Sequence, residues 1–256
     1  MKTKLIILGC GSSVGVPRID GFWGKCNKNN KKNIRTRCSA IITKGSNSVL
    51  IDTSPDIKSQ LLSNNIKNIS SVILTHEHAD QTNGLFELRP FFWKSKKKIS
   101  VYGNSKTINH IRKRHDYLFF GGNSYPAIIK SKIIKRKFSL GKSDERISFK
   151  ALSLKHGETN SLAYIFHDTA YISDCNDLSI IKLKELKTLK FLIIDCLKFK
   201  SHPTHFNLKE TLFIHQCLKP KNTILTNLHH DLDYNFLLRK LPKNVLPAYD
   251  GLTLNL

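Results

Sequence analysis

Long apolar runs are missing from this chain of 256 residues, and nothing in it approaches the ~18 consecutive apolar residues of a membrane span. The apolar run from Leu5 to Leu8 is also too short for the roughly 7–15 residues that the core of a signal peptide needs, so we interpret it as the first strand. No shift in composition marks a linker. We therefore expect one domain over residues 1–256 that makes no contact with a membrane.

Cysteine and acidic residues are also few. Six cysteines are scattered without a Cys-x-x-Cys spacing, and several lie in apolar segments, so we expect reduced core residues in a cytoplasmic protein. Against 42 Lys and Arg stand 19 Asp and Glu, for a formal net charge of +23. This balance favours phosphate-bearing partners. AT-rich coding also produces many Lys, Ile and Asn, and the basic runs 94–98 and 130–137 are typical of solvated faces.

The stretch from Ser71 to Gln81 is the most informative part of the chain. Residues 71–75 have the composition of a buried strand, and they are followed at once by His76, Glu77, His78 and Asp80. Residues two apart do not share a helix face, so the two imidazoles indicate an extended segment or loop. Imidazole binds zinc, iron, manganese or nickel, and a nearby carboxylate suits a second, harder ion. The pattern predicts a metal site at the end of a strand, where α/β proteins place their sites.

Four further predicted strands also end close to a histidine or an aspartate. Their ends are Leu154 before His156, Ile172 before Asp174, Ile194 before Asp195, and Leu225 before His229. Strands that lie side by side would bring these ends to one edge of a sheet. The mixture of strands, helices and hairpins suggests two facing mixed sheets flanked by helices. One edge with so many ligand-type side chains is a predicted metal site.

Other local signals predict the elements around this edge. We expect hairpins at 39–51 and 162–172, helices at 105–114, 178–186 and 208–218, and a helix that ends near residue 63 and is capped by segment 52–56. The glycine- and aromatic-rich segment 117–126 is interpreted as a mobile flap beside the site. The small-residue turn 9–13 has the composition of a loop that can lie against a phosphate, although such turns alone are weak evidence.

At this point the residues resemble the metallo-β-lactamase superfamily, whose His-x-His-x-Asp-His signature stands here as His76-x-His78-x-Asp80-Gln81. Within it, the whole chain is similar to the PhnP-type phosphodiesterases. The shared motifs are Gly9-Cys10-Gly11-Ser12-Ser13-x-Gly15-x-Pro17, Arg37-Cys38-Ser39, Ile51-Asp52-Thr53-Ser54-Pro55-Asp56, His156-Gly157, Ser173-Asp174, His202-Pro203-Thr204-His205, Asp231-Leu232-Asp233-Tyr234 and Ala248-Tyr249-Asp250-Gly251. The resemblance implies an α/β fold, the four-layer αββα sandwich of two mixed sheets flanked by helices.

The resemblance also implies a site for two divalent ions, Mn or Zn. One ion would be bound by His76, His78 and His156. Asp174 would bridge to the second ion, which Asp80 also binds. His205 would be the catalytic histidine beside the scissile bond.

Two departures from the family pattern concern the second ion. Gln81 and Asn227 stand where the family has histidine ligands, and an amide oxygen is a weaker donor than imidazole, so we expect a weak second site or a harder ion such as Mn²⁺. His229 is the candidate replacement. His230 matches a position of a structural zinc in the family, but Cys26 is the one cysteine near it, so we expect no structural zinc.

The implied activity is metal-assisted hydrolysis of a small phosphorylated cyclic phosphodiester, of the class of 5-phosphoribosyl 1,2-cyclic phosphate. Asp80 would orient the attacking water and His205 would assist the departing oxygen. Arg37, Lys198 and His202 are the candidate substrate-binding residues. Two alternatives stay open, a tRNase Z-like RNA nuclease and a non-catalytic nucleic-acid-binding protein on the same scaffold. RNA is the less favoured partner, and the sequence leaves a homodimer open.

Overall fold

The computed structural model describes residues 1–122 and 124–256, and in these residues the strands form two seven-stranded sheets. The first sheet contains β1 (Thr3–Gly9), β2 (Ser39–Lys44), β3 (Asn47–Ile51), β4 (Ser71–Ile73), β5 (Ile99–Gly103), β6 (Ile129–Ile133) and β14 (Leu252–Asn255). The second contains β7 (Lys137–Leu140), β8 (Ile147–His156), β9 (Thr159–Phe166), β10 (Thr169–Ile172), β11 (Phe191–Asp195), β12 (Asn222–Thr226) and β13 (Val245–Pro247).

Both sheets change from antiparallel to parallel pairing halfway across. In the first sheet β14, β1, β2 and β3 pair antiparallel, and β3 to β6 pair parallel. In the second sheet β7 to β10 pair antiparallel, and β10 to β13 pair parallel. Both predicted hairpins are therefore confirmed, as β2–β3 and β9–β10. Parallel strands need crossover connections, which is why the helices cover the outer faces.

Seven α-helices are present in the described residues. They are α1 (Ile57–Ser63), α2 (Ala79–Thr82), α3 (Arg89–Ser95), α4 (Ser105–Arg114), α5 (Asp116–Phe120), α6 (Leu208–Leu218) and α7 (Tyr234–Lys240). The predicted bounds of α4 and α6 are confirmed. None of the described helices has both the length and the apolar character that crossing a bilayer requires.

The main core lies between the two sheets. Ile7, Ile51 and Leu5 from the first sheet are fully buried against Phe149 and Tyr164 from the second. Alternate strand residues point to opposite faces, so the inward residues of both sheets meet in one layer while the outward ones contact the helices. Burying each large apolar side chain contributes about 1.5–3 kcal/mol. This layer fixes the sheets relative to one another and, with them, the strand ends that carry the site.

Two predicted helix features are wrong. The segment expected to be helical at 178–186 forms two 3₁₀ turns, Leu178–Lys182 and Lys184–Leu186, because Leu183 between them is extended. Asp56 precedes α1 but its side chain makes no cap; its carboxylate accepts instead from the backbone N–H and the Nε of Arg37, both at 2.9 Å. The ion pair with Arg37 competes successfully for the oxygen that a cap would use.

The basic run 130–137 and the predicted flap have more structure than expected. The run spans the edge strands β6 and β7, one in each sheet, and lysines on edge strands discourage pairing with other chains. The predicted flap 117–126 begins within α5, where Leu118 and Phe119 are buried in the core. Asn123 of that segment lies outside the described residues.

Candidate active site and metal centre

Three histidines meet at the ends of two strands, one from each sheet. His76 and His78 follow β4, and His156 is the last residue of β8. One ring nitrogen of each histidine lies within 4.8 Å of the others, and His76 Nε2 is 2.9 Å from His78 Nδ1. Thr75 O accepts a hydrogen bond from Leu162 N at 2.9 Å, which joins the end of β4 to the second sheet and brings the rings together.

This cluster of three histidines fits a divalent ion. His156 Nδ1 donates to Thr204 O at 2.8 Å. His76 Nδ1 lies 3.0 Å from Thr75 Oγ1, which donates to Asp52 Oδ2 and so accepts from the ring. Both rings therefore offer Nε2 as a lone pair, with the outer nitrogen held by an oxygen as in metal-binding histidines. Burial lowers the pKa of His76 to about 3, so that its ring is neutral, the form that binds a metal.

Three carboxylates lie beside the histidines. Asp80 is in α2, Asp174 follows β10, and Asp195 ends β11. Asp174 shares a second potential ligand group with His156 and His205. Burial and the nearby Asp174 raise the pKa of Asp80 to about 6. Burial also raises the pKa of Asp174, but His76, His205 and His156 outweigh burial and the net shift is downward.

His205 forms an ion pair with a buried carboxylate. Its Nδ1 donates to Asp195 Oδ2 at 2.7 Å, and Asp195 is fully buried. Burial lowers the pKa of His205, but Asp195 and Asp174 outweigh that effect and raise it to about 9. His205 is thus a cation at neutral pH, with Nε2 as its second donor. The His205 ring also contacts the His156 ring, with 4.7 Å between centroids.

The amides of Gln81 and Asn227 lie among these carboxylates. Both side chains are buried, and in both the amide nitrogen rather than the oxygen faces a carboxylate: Gln81 Nε2 is 3.2 Å from Asp80 Oδ2, and Asn227 Nδ2 is 3.1 Å from Asp195 Oδ1. The residues predicted as weak oxygen ligands of a second ion thus act as hydrogen-bond donors in this structure.

His229 and His230 form a separate group with Asp231 in the turn after β12. The rings of His229 and His230 are tilted by 39° with 3.5 Å between centroids, and His229 Nδ1 lies 3.3 Å from Asp231 Oδ2. The structure therefore groups His229 with this turn rather than with the carboxylates near Asn227. Cys26 lies near the same turn and accepts a weak contact from the buried Arg35, at 3.8 Å.

A cavity of about 990 Å³ opens over two of the three histidines, His78 and His156. Its polar lining includes His78, Asp80, His156, Asp174, His205, Asn227 and His229, the predicted substrate-binding residues Lys198 and His202, and also Ser12, Ser13, Lys106 and Lys155. The small-residue turn 9–13 thus does reach the cavity. Arg37 is not among the described residues that line it. Its guanidinium is paired with the Asp56 carboxylate, so the structure does not bring Arg37 together with Lys198 and His202.

Several residues that shape the site were not predicted as site residues. Asp195 follows Ile194 at the end of a predicted strand, and this position was the sequence signal that could have identified it as a site residue. Glu77, between His76 and His78, accepts from Lys106 Nζ at 2.7 Å and from Thr159 Oγ1 at 2.8 Å. Burial raises the pKa of the Glu77 carboxyl, but these contacts outweigh burial and lower the pKa to about 2. No sequence signal connects Glu77 to Lys106, because their contact depends on how the first turn of α4 packs against the loop that follows β4.

The two facing mixed sheets, with histidines and carboxylates gathered at one edge, define the class of metallo-β-lactamase-fold hydrolases. The chain belongs to the beta-lactamase superfamily, whose domain model matches residues 47–229.

Among solved structures, the chain is similar to a diphosphatase of the PhnP family at 31% identity. That match covers 100% of this chain and 98% of the other, with a TM-score of 0.89. Two further solved structures share the fold. Zn²⁺-bound PqqB from Methylobacterium extorquens is 15% identical, with 99% of this chain and 100% of the other covered and a TM-score of 0.77. The short form of human tRNase Z is 16% identical, with 98% of each chain covered and a TM-score of 0.68. The first match makes the chain PhnP-like.

A curated relative of this chain is an octanoyltransferase from Porphyromonas gingivalis. It is 31% identical over 252 residues, which are 97% of this chain and 51% of the relative. The chain therefore spans about half the length of that relative, and no activity is carried over from it.

Proposed function

We propose that the chain hydrolyses phosphodiesters in small phosphorylated molecules, with cyclic diesters such as 5-phosphoribosyl 1,2-cyclic phosphate as the leading class. One observation carries the proposal: His205, which is paired with the buried Asp195, lines the same cavity as His78 and His156 of the three-histidine cluster, together with Lys155 and Lys198. This arrangement combines an ion site, a proton donor and cations for phosphate oxygens.

The ion belongs at His76, His78 and His156. A divalent ion bound there would polarise a phosphoryl oxygen and make a nearby water more acidic. Asp80 is the proton acceptor for the attacking water, because its carboxylate lines the cavity with His78 and His156 and is held at Oδ2 by Gln81 Nε2, 3.2 Å away. The carboxylate thus orients the water toward phosphorus and receives its proton.

His205 is the proton donor for the leaving oxygen. Asp195 holds Nδ1, fixes the ring and stabilises its positive charge, so Nε2–H is presented to the cavity. Proton donation of this kind contributes about 10²–10⁴-fold in rate. Lys155, Lys198 and His202 line the cavity around His205 and supply contacts for a second, non-reacting phosphate.

Hydrolysis of a panel of substrates, measured after reconstitution of the chain with Mn²⁺ and, separately, with Zn²⁺, tests the proposal. The panel holds 5-phosphoribosyl 1,2-cyclic phosphate, a 2′,3′-cyclic nucleotide, an aryl phosphodiester, an organic diphosphate and a short RNA, with Asp80→Asn as the control. Turnover of a small cyclic diester that disappears in the control is the expected result. Cleavage of RNA alone would favour a nuclease instead, and silence across the panel would defeat the proposal.

A second candidate is hydrolysis of a diphosphate bond, favoured by the likeness to a diphosphatase at 31% identity over the whole chain. The chemistry at phosphorus is the same, and the two candidates differ in the leaving group, a phosphate instead of an alkoxide. A phosphate leaves without a proton more readily than an alkoxide. Diphosphate cleavage would therefore depend less on His205 than cleavage of a cyclic diester does. Assays of His205→Gln on both substrates separate the two candidates.

A further inference from the structure

Three carboxylates share a small volume beside the three-histidine cluster, and two of them, Asp174 and Asp195, are almost fully buried. Buried carboxylates need compensation, either from a cation or from hydrogen-bond donors. Donors of the chain itself supply it around Asp195. Its Oδ1 accepts from Asn227 Nδ2 at 3.1 Å, and its Oδ2 accepts from His205 Nδ1 at 2.7 Å and from Cys175 N at 3.0 Å.

The same compensation reaches Asp174 and Asp80. Asn227 Nδ2 also lies 3.4 Å from Asp174 Oδ1, so one amide group links two carboxylates. Gln81 Nε2 links the other pair, at 3.2 Å from Asp80 Oδ2 and 3.5 Å from Asp174 Oδ2. Two amide nitrogens thus lie between neighbouring carboxylates, where a second ion would have to bind.

An amide nitrogen gives hydrogens and has no free lone pair for a cation. Turning the Gln81 amide over would place its oxygen against the oxygens of Asp80 and Asp174, which repel it. At Asn227 the amide nitrogen also lies 3.0 Å from His205 Nδ1, and the two carboxylates Asp195 and Asp174 are the groups that hold it as a donor. Gln81 keeps its nitrogen on the carboxylates even though its Oε1 is then buried without a partner in the described chain. The donor set of the second position therefore does not fit an ion as the set at the three histidines does.

We propose that this chain holds one divalent ion, at His76, His78 and His156, and that Gln81 and Asn227 replace a second ion as the partners of Asp80, Asp174 and Asp195. The inference rests on the proposed function only in taking the three histidines as the ion site. The hydrolase would then use a single ion, and the amides of Gln81 and Asn227 with His205 would compensate the negative charge of the three carboxylates.

Metal stoichiometry tests this inference. Metal-free protein is incubated with a few equivalents of Zn²⁺ or Mn²⁺ and separated from free ion, and bound metal per chain is measured by elemental mass spectrometry. We expect one ion per chain for the wild type and two for the double variant Gln81→His, Asn227→His. Asn227 has a φ of +59°, a conformation that histidine, like asparagine, adopts more readily than most residues, so the second substitution is sterically reasonable.

A matched control adds two histidines elsewhere. Gln216 and Asn235 are exposed amides on α6 and α7, and Gln216→His, Asn235→His should remain at one ion. The electron paramagnetic resonance spectrum of the Mn²⁺-loaded proteins gives a second readout, because two adjacent Mn²⁺ ions couple and an isolated one does not. The wild type should give an isolated signal and the double variant a coupled one.

Two ions in the wild type would overturn the inference, and this measurement needs no variant to fold. A folded double variant that still binds one ion would also overturn it, because the amides would not be what excludes the second ion. The result is independent of the substrate panel. One ion without turnover leaves the inference standing and defeats the proposed function, whereas two ions with turnover does the reverse.

Discussion

Two carboxylates stabilise the positive charge of His205, and they lie at different distances from its Nδ1. Asp195 holds Nδ1 at 2.7 Å, whereas Asp174 is 3.8 Å away. His205 also belongs to a potential ligand group with His156 and Asp174, so two roles compete, proton donor and metal ligand. The commitment of Nδ1 to Asp195 favours the first role.

We expect His205→Gln to lower turnover of a cyclic diester by about 10²–10⁴-fold, because the amide of glutamine carries no proton acidic enough to transfer to the leaving oxygen. Its bound metal should be unchanged. Both quantities are measured on the same preparation, by steady-state kinetics and elemental analysis. Loss of the ion from the variant would show that His205 is a ligand and that the donor role is wrong.

Thr75 connects a ligand ring to a buried carboxylate, as His76 Nδ1 donates to its hydroxyl and the hydroxyl donates to Asp52. Thr75→Val keeps the shape but removes this acceptor. Loss of such an outer partner typically weakens metal affinity about 10–100-fold, and we expect a loss of this size by competition with a chromophoric chelator. Thr43→Val, on a strand remote from the rings, is the matched control, and equal losses in both variants would contradict the role of Thr75.

Asp250 joins three elements at one carboxylate. It follows β13, and its oxygens accept from Cys10 N at 3.0 Å and from Thr36 N at 2.7 Å, with Thr36 Oγ1 at 2.6 Å. The end of β1, the segment before β2 and the turn before β14 are thereby held together. An amide at this position would direct its NH₂ at one of these donors, so Asp250→Asn should lower the free energy of unfolding by about 1–3 kcal/mol.

The same residue predicts a dependence of stability on pH. Burial raises the pKa of Asp250 to about 6, and the hydrogen bonds from Thr36 and Cys10 reduce that rise without cancelling it. The folded chain therefore binds this proton more tightly than the unfolded chain, in which the pKa of an aspartate is about 3.9. The contribution of Asp250 to stability is thus fully present below pH 4 and decreases as the pH rises from near 4 to near 6, with a slope of at most about 1.4 kcal/mol per pH unit.

Urea unfolding of the wild type and Asp250→Asn at several pH values between 4 and 7 isolates this contribution. The difference between the two free energies of unfolding should change across that window and be constant above it. Asp144→Asn, an exposed substitution of the same kind, should show neither effect. A constant difference throughout the window would show that the carboxyl of Asp250 has an ordinary pKa in the fold.

Elements with a strong local pattern were predictable and elements decided by distant contacts were not. The helices α4 and α6 have clear bounds in the sequence, since Asn104 and Asn207 cap them, Asn207 with Glu210 in a capping box. The short edge strands β6 and β7 escaped prediction because their exposed lysines hide the apolar alternation. The structure of β6 depends on pairing with β5, which lies far away in the sequence, whereas β7 pairs with the strand that follows it, β8.

The same division holds for the site. The histidines and aspartates at strand ends were predictable because a single buried strand ending in polar residues is a local signal. The orientation of Gln81 and Asn227 was not, since it depends on carboxylates brought there by three different elements. The family pattern identifies the two substitutions, and their consequence is visible in the fold, where the amide nitrogens face the carboxylates.

The whole molecule has a net charge of +23, and lysines also line the cavity, so both the molecule and its cavity attract anions. Such attraction raises the rate of encounter and is screened by salt over a Debye length of about 10 Å at 0.1 M and about 3 Å at 1 M. The buried chemistry at His205 is screened much less. We therefore expect kcat/KM for a phosphorylated cyclic diester to fall steeply with NaCl, while kcat changes little.

The charge of the substrate provides the control for this last prediction. A phosphorylated cyclic diester carries more negative charge than an aryl phosphodiester with a single charge, so the logarithm of kcat/KM should fall more steeply with salt for the first than for the second. If both fall equally, the salt acts on the protein or its ion and not on the encounter. If neither falls, the lysine excess has no part in substrate capture, and AT-rich coding becomes the sufficient explanation for it.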